Sequence, residues 1–216
     1  MCPLRSIIVP ENVNNMGYYI FSYAINAGQI RDSLGSRDQD LYDYVLETDT
    51  FSLYADQDGD WDVPMKDALH HLIFGEPYNR ASMHSYWYAL IALCAYLGES
   101  LAGTHEIKLG YETDIINALL IADFGIDMQI EEVLLTGLSS FDIPAPADFP
   151  VCGIVQEKEL IELQAAFKDI HITDEQLEQL LEEDDEKEMA YDSIRQIKQN
   201  VAYCLENNRQ LISFCH

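Results

Sequence analysis

An acidic loop, Asp56-x-Asp58-Gly59-Asp60-x-Asp62, carries the residue types best suited to metal chemistry in this chain. Ca²⁺ binds several oxygen ligands, and carboxylates on alternate residues around a glycine turn can supply them. The loop is not an EF-hand, because aligning Gly59 with the invariant glycine places Tyr54 and Met65 at the first and last ligand positions. Two interpretations stay open, a solvated loop before the next helix and a weak Ca²⁺ site. The ligands of that site would be Asp56, Asp58, Asp60 and Asp62.

Two adjacent histidines, His70 and His71, also invite a metal interpretation. Successive residues on a helix point about 100° apart, so the two rings cannot easily face one ion. The sequence has neither an H-E-x-x-H motif nor Cys/His pairs at zinc spacing. A partly buried helix surface is therefore the favoured interpretation of this pair.

Nucleophilic catalysis has no recognisable motif here. Ser139 and Ser140 follow Gly137-Leu138, but Phe141 stands where G-x-S-x-G requires its second glycine. Glycine-rich phosphate loops are missing as well. The five cysteines form no C-x-x-C pair and predict reduced, mostly buried thiols. They are Cys2, Cys94, Cys152, Cys204 and Cys215.

The net charge restricts the partners of this protein. Thirty-eight acids against twelve Lys and Arg give a formal charge of −26 over 216 residues. Such a surface repels phosphate backbones and anionic lipids, so we expect neither nucleic-acid nor membrane binding. It attracts a cation or a basic protein surface, and solubility alone is the simpler explanation.

Most of the acidic excess lies in two tracts. Residues 38–62 contain nine acids and no Lys or Arg, and residues 174–188 contain nine acids with one lysine. A basic partner would bind one of these tracts. The predicted partner-binding residues are Asp56, Asp58, Asp60, Trp61, Glu182, Glu183, Asp184, Asp185 and Glu186.

Hydrophobic periodicity predicts the elements that position these residues in the first half of the chain. Residues 18–25 form an aromatic and β-branched strand, and Asn26 caps a short helix after it. Ser36 caps the next helix, with Leu41, Tyr44 and Val45 on its apolar side. A helix is predicted over 64–74, with Pro64 in its first turn and Gly75 as its stop. The helix over 82–98 is apolar almost all round and is the expected central helix.

The second half is expected to alternate strands and helices around a proline-rich connector. Because its three prolines remove donors and fix φ, residues 143–150 cannot be regular structure. Thr173 opens a helix with capping-box spacing that bends near Asp184. A closing strand inserted in the sheet would anchor the end of the chain. The predicted elements are strands 105–109, 151–155 and 210–216 and helices 114–124, 127–136, 157–169, 173–184 and one ending near 205.

The helices take about half of the residues and are clustered unevenly, so we predict an α+β fold and not a doubly wound parallel sheet. We expect a helix-rich single domain with a small sheet, three to five strands, flanked by helices. Residues 1–15 are expected to form an N-terminal arm, and residues 16–216 a single α+β domain. We expect a cytoplasmic location, since no secretory segment is visible and the most apolar stretch is too short for a membrane helix.

Several short motifs carry turn, packing and strand signatures. They are Gly17-Tyr18-Tyr19, Leu34-Gly35-Ser36-Arg37-Asp38, Gly75-Glu76-Pro77, Tyr88-Ala89-Leu90, Leu97-Gly98, Ile143-Pro144, Asp148-Phe149-Pro150, Gly153 and Leu211-Ile212-Ser213-Phe214. Through them the chain from Met16 onward resembles an uncharacterised bacterial protein family, a domain of unknown function. The resemblance implies one domain of conserved length and carries no activity or catalytic residues.

Two functions of different class stay open. The first is a non-enzymatic acidic protein, immunity-like or antitoxin-like, that binds a basic partner surface. The second is a small-molecule or metal-dependent enzyme with a site assembled from scattered residues. Its candidates are Asp60, Trp61, His70, His71 and Tyr86. A pocket that gathers two or more of them would favour the enzyme.

Overall fold

The computed structural model describes residues 17–56, 61–101, 106–136 and 141–216. The strands are β1 (Tyr19–Ile25), β2 (Glu99–Ser100), β3 (Ile107–Lys108), β4 (Val151–Val155) and β5 (Gln210–Cys215). The helices are α1 (Ala27–Ser33), α2 (Gln39–Leu46), α3 (Asp49–Ala55), α4 (Met65–Phe74), α5 (Met83–Leu97), α6 (Tyr111–Phe124), α7 (Ile130–Leu134), α8 (Glu157–Phe167), α9 (Asp174–Glu183) and α10 (Asp185–Glu206). A 3-10 turn, Arg80–Ser82, precedes α5.

The sheet is antiparallel, with the strand order β2-β1-β5-β4. β5 pairs with β1 on one side and with β4 on the other, so the closing strand lies inside the sheet as predicted. β2 and β3 both pair with β1 and share its remaining edge. Segments from both ends of the described chain thus form the centre of the sheet.

Each face of the sheet covers its own hydrophobic core, because successive side chains of a strand point to opposite faces. In β5, Ile212 and Phe214 belong to one core, and Leu211 and Cys215 belong to the other. Helices α1 to α5 cover the first core and are called the first layer. Helices α6, α7, α8 and α10 cover the second core, and α9 packs on α10; these five are the second layer. The predicted α+β fold with a small sheet flanked by helices is confirmed.

Helix α5 is the central helix of the first layer, as its composition predicted. Nearly every residue from Tyr86 to Cys94 is buried, which is typical of a helix that is apolar all round. The Trp87 indole N–H donates to the Pro144 carbonyl oxygen at 2.9 Å and ties the proline-rich connector to the core. Among the described helices none is both long enough and apolar enough to cross a bilayer.

The prediction for α2 was wrong in two respects. Asp38, and not Ser36, is its N-cap, because the Asp38 carboxylate accepts the Leu41 N–H at 3.0 Å. Tyr42 is buried with Val45, whereas Tyr44 is 57 % exposed. Successive residues on a helix are rotated by about 100°, so Tyr44 points about 160° away from Tyr42, which faces the core.

Hydrophobic periodicity missed or misplaced the helices and strands that are short or rich in acids. Helix α3 lies inside the first acidic tract and still buries Phe51 and Tyr54, with Thr48 as its N-cap. Helix α6 begins at Tyr111, earlier than expected, and α7 is a single turn instead of the predicted 127–136. The two-residue strand β2 is too short to show alternation. The predicted bend at Asp184 is confirmed as the junction between α9 and α10.

Candidate functional site

The two acidic tracts lie in opposite layers. The described part of residues 38–62 forms α2 and α3 of the first layer. Residues 174–188 form α9 and the beginning of α10 in the second layer. The sheet lies between the two tracts, so a partner that binds one tract meets a different surface from a partner that binds the other.

The predicted Ca²⁺ loop is only partly within the described residues. Asp56 is exposed and ends α3 as its C-cap, Asp62 is exposed before α4, and Asp58 and Asp60 lie outside the described residues. In the part of the chain that the structure describes, no three His, Cys, Asp or Glu side chains are grouped to hold a metal ion. The weak Ca²⁺ site stays a prediction.

Trp61 is a packing residue of the first layer. Its ring stacks on Tyr88, with centroids 5.5 Å apart, and meets the His84 ring edge-on at 4.6 Å. The side chain is half-buried against the first core. Trp61 therefore presents only part of its ring to a partner.

The acids at the α9–α10 junction have different structural roles. Asp184 is the N-cap of α10, because its carboxylate accepts the Lys187 N–H at 3.1 Å. Asp185 and Glu186 follow in the first turn of α10, where the helix dipole favours negative charge, and Glu186 also accepts the Tyr111 hydroxyl. Glu182 and Glu183 stand at the C-terminal end of α9, where the dipole disfavours carboxylates. Helix stability thus explains Asp184 to Glu186 and does not explain the two glutamates before them.

His70, His71 and Tyr86 of the predicted enzyme site are brought together by the end of α4. Gly75 adopts the left-handed conformation and ends the helix, which folds Glu76 back toward both histidines. The two Glu76 oxygens lie 3.3 Å from His70 Nδ1 and 3.4 Å from His71 Nε2. The other nitrogen of His71, Nδ1, lies 2.8 Å from the Tyr86 hydroxyl oxygen.

One proton arrangement satisfies every member of this network. The Asn79 backbone N–H donates to the Tyr86 hydroxyl oxygen at 3.0 Å. The Tyr86 O–H then donates to His71 Nδ1, and His71 Nε2–H points to Glu76, which fixes the histidine tautomer. Tyr86 is completely buried, so this network connects α4 with α5 and does not present the phenol to a substrate.

The described cysteines are inert thiols, as predicted. Cys94, Cys152, Cys204 and Cys215 are all free and buried. Burial raises the pKa of Cys204 and of Cys215 to about 12, and it raises the pKa of Cys94 and Cys152 as well. A thiol with a raised pKa carries little thiolate at neutral pH, so none of the four is set up as a nucleophile.

A cleft of about 210 Å³ lies between the second face of the sheet and α10, and we call it the polar cleft. Its origin is a row of small residues across three strands, since Ser22 pairs with Ser213 and Ser213 pairs with Gly153. Over Gly153 the space is filled by backbone, because a Cβ atom there would lie 2.3 Å from the Leu134 carbonyl oxygen. Over Ser22 the space stays open and forms the cleft.

Polar side chains from several elements line this cleft. They are Ser22, Ser100, Glu106, Ser193, Gln196 and Asn200, among apolar neighbours such as Ile20, Ile197 and Leu211. Ser193 is only 1 % exposed, and its hydroxyl has no hydrogen-bond partner among the described residues. An unpartnered buried hydroxyl costs about 1–3 kcal/mol, and buried polar groups normally have a partner. The polar cleft therefore contains unused hydrogen-bonding capacity.

A second, larger concavity of about 580 Å³ lies between α7 and α8 beside β4, and we call it the acidic groove. Its floor is apolar and consists of Met128, Val133, Val155 and Leu163. Its rim carries the four carboxylates of Asp127, Glu132, Glu159 and Glu162, and no described residue that lines it is basic. Lys158 reaches Glu162 at 3.6 Å, but both side chains are well exposed and such a pair contributes little.

Sequence reasoning missed both concavities. The groove acids lie outside the two acidic tracts, and only the pair Glu159 and Glu162 shows a local signal, the spacing that puts two residues on one helix face. The signal for the polar cleft is a serine in the middle of each of two apolar strands, Ser22 in β1 and Ser213 in β5. Neither signal reveals that α10 covers the first of these serines.

The fold and its concavities define a helix-rich α+β protein in which an antiparallel sheet separates two helical layers. Residues 16–216 match the profile of a family described as a domain of unknown function, DUF7691. The chain belongs to this family, and the resemblance to an uncharacterised family is confirmed. No curated protein and no solved structure matches the chain.

Proposed function

We propose that this protein is a non-enzymatic binding protein whose acidic groove receives a basic segment of a partner protein. The observation that carries the proposal is the combination of four carboxylates with an apolar floor in one concavity of about 580 Å³. This volume lies within the range of about 300–1,000 Å³ that is usual for binding pockets.

The groove matches the two parts of a long basic side chain. Lys and Arg pack their aliphatic stems on apolar surface while the charged head stays near water or a carboxylate. Val133 and Leu163 supply apolar contact for the stem, and Glu132 and Glu162 supply acceptors for the head. Arginine is the better occupant, because its planar guanidinium pairs with a carboxylate through two hydrogen bonds.

The charge of the whole protein supports the same partner. A net charge of −26 attracts a basic protein from a distance and speeds its encounter. Glu182 and Glu183 lie in the same layer as the groove, and the helix dipole does not favour either carboxylate at the end of α9, where Glu183 accepts one exposed hydrogen bond from Gln179. In this proposal they strengthen the field on the groove side and contact the partner beyond the groove.

The enzyme alternative has less support. Tyr86 and His71 are committed to each other and to Glu76 and Asn79, and Trp61 packs elsewhere, on His84 and Tyr88. A bacterial cytoplasm remains the proposed location, and four free, buried cysteines are consistent with a reducing compartment.

The proposal is tested with a fluorescent hexaarginine peptide and charge-reversed variants of the full chain. The groove variant carries Glu132→Lys and Glu162→Lys, and the control variant carries Asp32→Lys and Asp43→Lys, two exposed acids of α1 and α2 in the first layer. In each pair two carboxylates become two ammonium groups, so the net charge changes equally, from −26 to −22. We expect the groove variant to bind about tenfold more weakly than the wild type, which corresponds to about 1.4 kcal/mol, and the control to lose much less.

Fluorescence anisotropy at low and moderate salt measures these affinities. Salt should weaken wild-type binding because the charges involved are largely exposed. Equal losses in the two variants would mean that the peptide responds only to net charge, which contradicts the groove as the site. Binding that ignores ionic strength, or no binding by the wild type, would overturn the proposed function itself.

A further inference from the structure

We infer that the polar cleft is a binding site for a small hydroxyl-bearing molecule that is neutral or cationic. This inference does not depend on the acidic groove, which lies between α7 and α8, whereas the cleft lies between the sheet and α10. Its basis is a cleft whose polar groups come from separate elements and include one buried hydroxyl, that of Ser193, with no partner among the described residues.

The first step is that the sequence leaves this space open. Ser22 lies in an otherwise largely apolar strand, and its partner Ser213 is completely buried on the same face. A β-branched residue at either position would fill the core and suit a strand better than serine does. The two hydroxyls bond each other at 2.7 Å, and Ser22 also lines the cleft.

The second step is Ser193, which belongs to the buried stripe of α10. The other members of that stripe include Ala190, Ile194, Ile197 and Val201, all of them apolar. Ser193 is as buried as these residues, lines the cleft, and has no partner for its hydroxyl in the described structure. A bound hydroxyl or amino group would supply that partner.

The third step is the kind of group that the cleft would select. Gln196 donates one N–H of its side-chain amide to Asp192, and its carbonyl oxygen remains as an acceptor. Glu106 adds a carboxylate, and the Asn200 amide adds one acceptor and two donors. Acceptors therefore predominate, so a ligand rich in O–H or N–H donors fits the lining. An anion is disfavoured by Glu106 and by the net charge of −26.

The fourth step is size. A volume of about 210 Å³ equals that of about seven water molecules in the liquid. This is room for a polyol, a monosaccharide or an amino alcohol, and it is too small for a nucleotide. Ile20, Ile197 and Leu211 offer apolar surface to the C–H groups of such a molecule.

The test uses ligand-detected NMR on the full chain with four probes at millimolar concentration, namely xylitol, myo-inositol, D-glucose and ethanolamine. D-gluconate serves as the anionic counterpart of D-glucose. We expect at least one of the four probes to bind and D-gluconate not to bind. If the wild-type protein binds none of the four, the cleft holds only water and the inference is overturned.

A matched pair of variants locates the binding. Ser193→Ala removes the hydroxyl in the cleft, and Ser85→Ala removes a second buried, unpartnered hydroxyl that lies in the first layer. We expect Ser193→Ala to weaken binding about tenfold and Ser85→Ala to leave it unchanged. Equal binding by both variants and the wild type would place the probe elsewhere and contradict the inference. Circular dichroism checks that each variant is folded, and Asn200→Leu, at a half-buried position of the same cleft, provides an independent loss of binding.

Discussion

Two polar clusters, one in each layer, are organised in opposite ways. In the first layer, Tyr86, His71 and Glu76 complete one another's hydrogen bonds. In the second layer, the Ser193 hydroxyl is as buried as Tyr86 and has no partner in the part of the chain that the structure describes. Both Tyr86 and Ser193 carry a hydroxyl in the buried part of a helix, so residue chemistry and burial do not distinguish them. Their hydrogen-bond partners do, because a closed network fixes the fold whereas an unpartnered hydroxyl beside a cleft is free to bind a ligand.

The carboxylates show a similar difference. Asp38 and Asp184 are helix caps, and the acids that begin α10 complement its dipole. The carboxylates of Glu132 and Glu162 stand on the rim of the acidic groove instead. A high density of acids is therefore a poor guide to a site, and the shape of the surface beneath the acids is a better one.

The largest expected effect is that of Gly153→Ala, which would break the small-residue row beneath the second layer. The new Cβ atom would lie 2.3–2.5 Å from backbone atoms of Leu134, Leu135 and Thr136, and backbone cannot move aside as a flexible side chain can. The segment must shift and weaken the bond from the Ile154 N–H to the Thr136 oxygen. We expect a loss of about 3 kcal/mol in the free energy of unfolding, measured by urea denaturation.

Gly28→Ala is the control for this experiment. Gly28 lies in α1, where the nearest atom to a new Cβ is the end of the Asn26 side chain at 3.1 Å. Alanine favours helix over glycine by about 1 kcal/mol, so this variant should lose little stability or gain some. Similar losses in both variants would show that the row across the sheet is not the constraint that we describe.

Tyr86→Phe should open the closed network of the first layer. The substitution keeps the ring and leaves His71 Nδ1 and the Asn79 N–H without their partner in a partly buried site. We expect a loss of about 2 kcal/mol in the free energy of unfolding. Tyr88→Phe is the matched control, because Tyr88 makes ring contacts with Tyr54 and Trp61 that phenylalanine can keep. If Tyr86→Phe were no more destabilising than Tyr88→Phe, the network would not be a stabilising unit.

Elements with long, regular patterns could be predicted from the sequence, and sites that depend on long-range pairing could not. The central helix, the strand around Cys152 and the closing strand follow from apolar runs with clear boundaries. The pairing of Ser22 with Ser213 joins residues 191 positions apart, and no local sequence pattern predicts it. The acidic groove likewise brings Glu132 and Glu159 to one concavity, and the segment that ends at Thr136 reaches β4 through the bond from the Ile154 N–H to the Thr136 oxygen. Such contacts arise from the topology and not from any local motif.

A half-buried histidine beside the first core should make stability depend on pH. His216 contacts the Tyr54 hydroxyl at 3.3 Å, and burial lowers the pKa of His216 although the Glu106 carboxylate partly opposes this shift. The folded protein therefore favours the neutral ring, and the contribution of neutral His216 to the free energy of unfolding is fully present above the ordinary histidine pKa of about 6.5. As the pH falls below that value, the unfolded chain takes up a proton first, and the contribution is lost by the time the pH has passed the lowered pKa of the folded protein.

Urea denaturation of the wild type and of His216→Phe between about pH 5 and pH 8 measures this effect. Phenylalanine keeps the ring contacts with Phe21 and Tyr88 and cannot be protonated, so the variant should lose part of the slope below about pH 6.5. His171→Phe, at an exposed position, should keep the wild-type slope. An identical pH dependence for wild type and His216→Phe would mean that His216 is not a source of the slope.

The smallest expected effect concerns Ser193 and sharpens the contrast between the layers most directly. Because its hydroxyl has no partner, Ser193→Ala removes a buried polar group without breaking a bond, and alanine also has the higher helix propensity. We expect the free energy of unfolding without ligand to stay constant or rise by up to about 1 kcal/mol, as for Ser85→Ala. A loss confined to Ser193→Ala would show that water in the cleft already bonds this hydroxyl. The polar cleft would then contain a hydrated network equivalent to the closed network around Tyr86, and the difference between these two sites would lie in solvent and not in connectivity.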